Sequence, residues 1–356
     1  MEIVHLGRYL EVRNPSLHPF QELIKMKPLW LTHDLQLWND PENLAYAKEL
    51  AKKGYDVVYV RRRAPNVNFI NRIDFPRRIL FEMTSNCNFL CRMCPQQRLT
   101  RPRMDIDPKL YCKIVDEIDR YGIEGLWLYH LGESLLHPFF MKIVDFVSQR
   151  KNLGVIWMST NGQYFTEDKI RCILGSNIDY VNFSAHAVTE ETYKKVAPQG
   201  DFKIVQGNLD KFYELKGDIS KGPRKPFLHC QMIEQEPTKH EEDMFIAQHY
   251  KRAEIVSINM LEYVHFSNNS YGMRQRERKP LHNCTRVERS DCFIFSNGHV
   301  TLCDFAYNGE IFLGDINQQS LYDIWNGKKR LNILGLNREG KMADVEFCRG
   351  CTDYDI

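Results

Sequence analysis

Thr84-Ser85-Asn86-Cys87-Asn88-Phe89-Leu90-Cys91-Arg92-Met93-Cys94-Pro95 places three cysteines in one short loop, spaced C-x3-C-x2-C. The apolar run 78–84 leads directly into it and reads as a strand. A structural zinc site normally draws four ligands from paired C-x2-C motifs or from Cys with His. Here three thiols stand close together and no obvious fourth is near. Three thiolates suit a cubane [4Fe–4S] cluster that leaves one iron open to an outside ligand.

Outward from this loop the chain alternates between two periods. Strand-like runs occupy 78–84, 125–130, 154–160, 179–185, 226–233 and 253–261. Helical patterns lie near 107–120, 138–150, 166–174, 190–197 with 203–215, and 239–250. A parallel crossover needs a connection of helix length, so the alternation predicts an α/β fold with a parallel sheet and helices outside. Six such units over 76–265 suit a partial (β/α) barrel as well as an open doubly wound sheet. No G-x-G-x-x-G follows the first strand, so a dinucleotide site is unsupported.

Three further stretches fall at strand ends. His130-Leu131-Gly132-Glu133-Ser134-Leu135 follows the second strand, Ser159-Thr160-Asn161-Gly162 ends the third, and Val181-Asn182-Phe183-Ser184-Ala185-His186 makes the fourth. Together with the cysteine loop, their order resembles the radical S-adenosylmethionine (SAM) enzyme superfamily. The resemblance spans about 76–265 and implies a partial (β/α)6 barrel. It implies that Cys87, Cys91 and Cys94 hold a cluster whose open iron chelates the methionine part of SAM. Reductive cleavage of SAM then gives a 5′-deoxyadenosyl radical that takes a hydrogen atom from substrate. The remaining cofactor contacts follow from the same resemblance. Met93 stands where an aromatic residue usually touches adenine. Gly132 and Glu133 match part of a G-G-E-P motif whose acidic residue meets the SAM ammonium, while Leu131 and Ser134 depart from it. Ser184 matches a serine that binds the SAM ribose or carboxylate, and Ile233 an apolar residue against adenine. Asn161-Gly162 also occurs in the family, and locally it reads as a turn. All of these lie at carboxyl ends of strands, where parallel barrels assemble active sites.

A second set of cysteines ends the chain, within 280–356. Cys284 is followed after thirteen residues by Gly298 and after four more by Cys303, and Cys348-Arg349-Gly350-Cys351 comes later. Asn297-Gly298 signals a tight hairpin that brings Cys303 back beside its near strand. C-x13-G-x4-C is similar to the opening of SPASM/twitch auxiliary-cluster domains. That resemblance implies a small cysteine-rich α+β domain in which Cys284, Cys303, Cys348 and Cys351 fully coordinate a second [4Fe–4S] cluster. The expected cofactors are therefore two [4Fe–4S] clusters and SAM. Cys292 is a fifth cysteine for four places and an alternative to Cys284. A structural zinc ribbon is the alternative for the whole segment.

Composition removes other classes. Lys+Arg is 48 and Asp+Glu 46, giving a net charge of +2, which argues against broad nucleic-acid binding. No apolar run approaches the ~20 residues of a membrane span, and Met1–Pro15 has no signal-peptide core. Eleven cysteines, an odd number with no export signal, predict free thiols in the cytoplasm rather than disulfides. Residues 1–75 hold a helix signal at Asp40-Pro41, a strand-like run 56–60 and the basic Arg61-Arg62-Arg63, and are expected to form an N-terminal accessory segment. The polar stretch 266–280 reads as a linker or surface loop.

The four-cysteine arrangement resembles radical SAM dehydrogenases of the 2-deoxy-scyllo-inosamine type. It implies oxidation of a hydroxyl-bearing small molecule, such as a sugar or cyclitol, with the auxiliary cluster accepting an electron. An external donor such as flavodoxin or ferredoxin would reduce the first cluster. A base is then needed, and His186, His229 and His130 lie at or near strand ends. The alternative is a radical SAM epimerase or ribosomal-peptide-modifying enzyme, in which a thiol returns a hydrogen atom. Cys292 and Cys230 are the spare thiols for that role.

Overall fold

Each of the six strands expected over 76–265 forms, and the helices fall between them as the crossovers require. The strands are β1 (Tyr9–Arg13), β2 (Arg78–Phe81), β3 (Gly125–Trp127), β4 (Val155–Thr160), β5 (Tyr180–Ser184), β6 (Phe227–Ile233), β7 (Ile255–Asn259), β8 (Asp291–Ile294), β9 (His299–Thr301) and β10 (Gly314–Asp315). This computed structural model describes residues 74–217, 225–250, 252–259 and 283–351, and the backbone of 9–13. The features read at Asp40-Pro41, 56–60, Arg61–Arg63 and 266–280 lie outside the described residues.

The sheet order is β1-β7-β6-β5-β4-β3-β2-β8-β9-β10. From β2 through β7 all neighbours are parallel. This is an α/β fold, an open and mostly parallel sheet of the kind a partial (β/α) barrel has, carrying a small C-terminal cysteine-rich unit. β2 and β3 stop three residues before their expected ends, because the chain there turns to build the site.

Burial distinguishes the two faces of the sheet. On β5, Val181 and Phe183 are fully buried, while Tyr180, Asn182 and Ser184 are half-buried. Period-two alternation therefore divides an outer face packed under helices from an inner face lining a concavity. The outer face meets amphipathic helices such as α1 (Pro108–Tyr121). Asp107 caps α1 by accepting the amides of Lys109 and Leu110, both at 2.9 Å, and Tyr111, Ile114, Val115 and Ile118 are its buried stripe. On the inner face a row of rings crosses the amino-terminal end of the sheet. Trp127 stacks with Trp157 (6.4 Å between centroids), Trp157 with Tyr180 (3.9 Å), and Tyr180 meets Phe227 at 5.3 Å. These residues are in register across β3–β6, so the row is an aromatic floor.

The C-terminal unit is joined to the barrel more closely than the sequence indicated. β8 lies parallel to β2, with Ile79 opposite Cys292 and Leu80 opposite Phe293. The Asn297-Gly298 hairpin forms as expected, Gly298 adopting φ +91°, and β9 returns antiparallel to β8. Sequence pattern marks a strand but not its partner, which is why this edge pairing was not legible. Glu117 of α1 also accepts the Leu321 and Tyr322 amides (3.1 and 2.8 Å) at the start of the short helix Leu321–Trp325.

Candidate active site and auxiliary cluster site

The cysteine loop is shaped by its own polar side chains. Thr84 donates its hydroxyl to Asp105 Oδ1 (2.6 Å), and Asn86 donates Nδ2 to the same oxygen (3.1 Å). The Phe89 amide points at Cys87 Sγ (3.4 Å), and the Cys94 amide donates to the Cys91 carbonyl (3.0 Å). Burial pushes the Cys87 thiol up to about 12, and the neighbouring Glu133 and Cys94 push the same way. Burial also raises Cys91, with Cys94 and Cys87 adding to it. Cys94 thus acts on both of the other thiols, and binding iron is what would deprotonate all three. Among the described residues no three His, Cys, Asp or Glu side chains converge as they would around a single metal ion. A cubane needs no such convergence, because each thiolate binds a separate iron.

Gly132 and Glu133 meet this loop directly. A Cβ on Gly132 would lie 1.9 Å from the Thr84 carbonyl oxygen, so only glycine permits the approach. The Glu133 amide then donates to the Asn86 carbonyl (2.9 Å). The Glu133 carboxylate is buried and accepts the Asn161 amide (2.7 Å) and the Leu135 amide (3.2 Å). Burial raises it to about 7, against the pull of those two donors. A buried carboxylate raised in this way is suited to a cationic ligand that restores its charge.

Asn161 is more than a turn signal. Its Nδ2 reaches Asn88 Oδ1 (3.0 Å) and lies 3.9 Å from Cys87 Sγ, while its amide holds Glu133. It therefore ties the end of β4 to both halves of the site. Its sequence context fits an ordinary turn, which is why it was not singled out.

Ser184 and Ile233 lie at the carboxyl ends of β5 and β6, on the inner face and half-buried, and Met93 is half-buried beside Cys94. One register step below Ser184, Asn182 donates Nδ2 to Gln231 Oε1 (2.5 Å) and to Ser159 Oγ (3.3 Å). Its Oδ1 is buried with no hydrogen-bond partner in the described structure. Asn182 stands opposite His229, whose Nε2 is 2.6 Å from Ser257 Oγ. This polar layer above the aromatic floor was missed because Asn, Gln and Ser on a strand carry no motif.

The three histidines separate. His229 lines the concavity. His186 is buried in a left-handed conformation (φ +59°), its Nδ1 unpartnered, and burial lowers it to about 4. His130 packs against Phe295 and Phe293 (5.2 and 6.1 Å between centroids) with Nδ1 3.6 Å from Glu82 Oε1.

The second site is a cavity whose lining includes Cys284, Cys303, Cys348 and Cys351, with Leu302, Phe347 and other apolar side chains. Burial raises Cys303 well above the usual thiol range and Cys348 to about 12. Asn337 fixes Cys284 by accepting its amide (2.5 Å) and donating to its carbonyl (3.3 Å). Cys292 is not in this lining. It is fully buried on β8, on the face opposite Phe293. The described structure thus groups Cys284, not Cys292, with the other three. Cys292→Ala is expected to leave the iron content of loaded protein unchanged and lower stability by about 1–2 kcal/mol, a core-cavity effect readable by denaturant titration.

Comparison with known proteins covers the two segments that carry these sites. Residues 81–222 match the radical SAM superfamily, and residues 284–352 match the iron-sulfur cluster-binding domain SPASM. A tungsten-containing aldehyde ferredoxin oxidoreductase cofactor-modifying protein of Pyrococcus furiosus is 32% identical over 159 residues, 44% of this chain and 43% of that protein. The chain thus aligns with less than half the length of that relative. The S-adenosyl-L-methionine-dependent 2-deoxy-scyllo-inosamine dehydrogenase of Niallia circulans is 19% identical over 77% of this chain and 92% of its own. Among solved structures, BtrN in complex with AdoMet and 2-DOIA superposes with a TM-score of 0.53 at 16% identity, covering 79% of this chain and 95% of that one. Streptococcus suis SuiB bound to S-adenosylmethionine also gives 0.53, at 10% identity, covering 86% and 74%. At these identities the likeness is one of fold.

Proposed function

From a chain that carries a radical SAM domain and a SPASM iron–sulfur domain, we propose an oxidoreductase that dehydrogenates a hydroxyl-bearing small molecule of sugar or cyclitol type. Its cofactors are SAM and two [4Fe–4S] clusters. Cys87, Cys91 and Cys94 hold the first cluster, and Cys284, Cys303, Cys348 and Cys351 hold the second. When bound, the first cluster and SAM supply a carbon-centred radical that removes hydrogen from a substrate carbon.

The chain's own residues do the rest. Glu133 and Ser184 would hold SAM, and Met93 and Ile233 would meet its adenine. The layer of Ser159, Asn182, Gln231 and His229 receives the substrate beneath. Asn182 Oδ1 lacks a donor, which a substrate hydroxyl supplies. His229 takes the hydroxyl proton once the carbon has lost its hydrogen atom. A second cluster held by Cys284, Cys303, Cys348 and Cys351 would supply an acceptor for the electron left behind. Electrons for the first cluster come from a small external carrier such as flavodoxin or ferredoxin. Eleven free thiols suit a reducing cytoplasm, and no helix among the described residues is long and apolar enough to cross a membrane.

The observation that carries this reading over the alternative is where the remaining thiols lie. Cys230 is fully buried on the outer face of β6, bonded to Tyr213 Oη at 3.3 Å beneath His249. Cys292 is in the core of β8, and Cys112 and Cys172 are on outer helices. Among the described residues no thiol outside the two clusters faces the concavity, so an epimerase with a cysteine donor lacks its donor. A peptide ligand is compatible with this fold, since SuiB, which superposes on it, is also solved bound to the precursor peptide SuiA. The test is turnover of loaded, reduced protein in D2O with 2-deoxy-scyllo-inosamine, other cyclitols and short peptides. The expected product is a ketone, one per 5′-deoxyadenosine. An isomeric product carrying deuterium at carbon, or turnover of peptides alone, overturns the reading.

A further inference from the structure

We propose that Arg101 is a positioning residue that clamps the auxiliary-cluster loop onto the SAM-cluster loop and so fixes how far apart the two clusters stand. This rests on the two-cluster reading above. Arg101 follows Cys94 by seven residues and is buried. Its Nη2 donates to Glu82 Oε1 (2.7 Å), its Nε to the Tyr307 carbonyl (2.7 Å) and its Nη1 to Ser296 Oγ (3.4 Å). The guanidinium lies 4.5 Å from the centre of the Phe295 ring. Glu82, at the end of β2, has both oxygens in use. Oε1 also accepts the Leu131 amide (3.3 Å), and Oε2 accepts the Ser296 amide (2.8 Å).

The partners come from both cluster loops. Tyr307 and Asn308 follow Cys303 by four and five residues. The Thr100 amide donates to Asn308 Oδ1 (2.7 Å), and Asn308 Nδ2 donates to the Arg98 carbonyl (3.2 Å). Ser296, in the hairpin, donates its hydroxyl to Ser85 Oγ (3.0 Å), two residues before Cys87. An apolar plug would bury as much surface without setting an orientation. A planar fork with three separate acceptors admits one register of the two loops. A buried ion pair adds little net stability but specifies geometry when every group is satisfied. Electron transfer from substrate to the second cluster depends on that geometry, so a clamp here serves the chemistry without touching substrate.

The test uses loaded protein and needs no substrate. Iron per chain and amide hydrogen exchange are measured for wild type, Arg101→Lys, and the double variant Glu82→Gln with Arg101→Met. The double variant removes the fork without leaving a buried unpaired charge. Expected are about eight irons in wild type and double variant, with exchange in segments 95–101 and 304–309 faster together by roughly tenfold or more. Amides of β4 and β5 should stay as in wild type, and Arg101→Lys should fall between. Unchanged protection, loosening of only one of the two loops, or a general rise in exchange with loss of iron from both sites overturns the clamp. Wild-type iron near four sinks the two-cluster reading itself, and the inference with it, before any variant is compared.

Discussion

Cys91→Ala should lower the iron of reconstituted protein from about eight to about four per chain and cut SAM cleavage by roughly a thousandfold or more. Cys91 is the middle thiol of the loop, and its neighbours Cys87 and Cys94 both act on it electrostatically. Two thiolates do not retain a cubane that must also leave an iron open to SAM. Cys284→Ala should also leave about four irons, but with a different loss. SAM cleavage persists, while ketone formation stops because the substrate's second electron has no acceptor. Anaerobic iron and sulfide analysis beside 5′-deoxyadenosine assay separates the cases. If Cys284→Ala keeps all its iron, or if Cys91→Ala still cleaves SAM, the assignment of thiols to clusters fails.

The order of strands and helices from Arg78 to Asn259 was legible because each unit repeats a simple period, and the cysteine loops were legible because ligand chemistry needs fixed types at short spacing. Three things were not. The β2–β8 pairing depends on which edge the chain returns to, and no residue of β8 encodes that. The Glu82–Arg101 pair joins residues nineteen apart to Ser296 and Tyr307, and in the sequence Arg101 was one of many arginines. The spare cysteines were ambiguous until burial placed Cys292 and Cys230 in the core. Period-two alternation along Val181–His186 puts Asn182, Ser184 and His186 on one face. Asn182 and Ser184 do share the inner face, but β5 ends at Ser184 and His186 lies beyond it in a left-handed conformation. Alternation did not show that Asn182 Oδ1 would stand without a donor. Contact chemistry needs the neighbours, and only the assembled sheet supplies them.

Glu133→Gln should change binding and stability in opposite directions. In SAM-free protein, burial lifts the Glu133 carboxyl from 4.5 to about 7. A group whose folded value is raised stabilises the fold fully below its ordinary value and loses that contribution as pH rises through about 7. At pH 8 the buried carboxylate therefore costs SAM-free protein about 3 kcal/mol. Removing the charge should make the loaded, SAM-free Gln variant more stable than wild type at pH 8, and little different at pH 4. SAM binding should move the other way. The ammonium of SAM needs the ionised carboxylate, so affinity at pH 8 should fall about a hundredfold in the variant. In wild type it should weaken by up to about tenfold per pH unit below 7, while the variant's affinity stays flat. Denaturant titration at two pH values and calorimetric SAM binding test both halves. Equal SAM affinity in the two proteins would remove Glu133 from the SAM site. A stability difference that does not depend on pH would mean that packing, not charge, distinguishes them. Both results together would mean that the cost of the buried Glu133 charge in the empty site is what SAM relieves on binding, so that the residue that makes the site specific is also the one that destabilises it when empty.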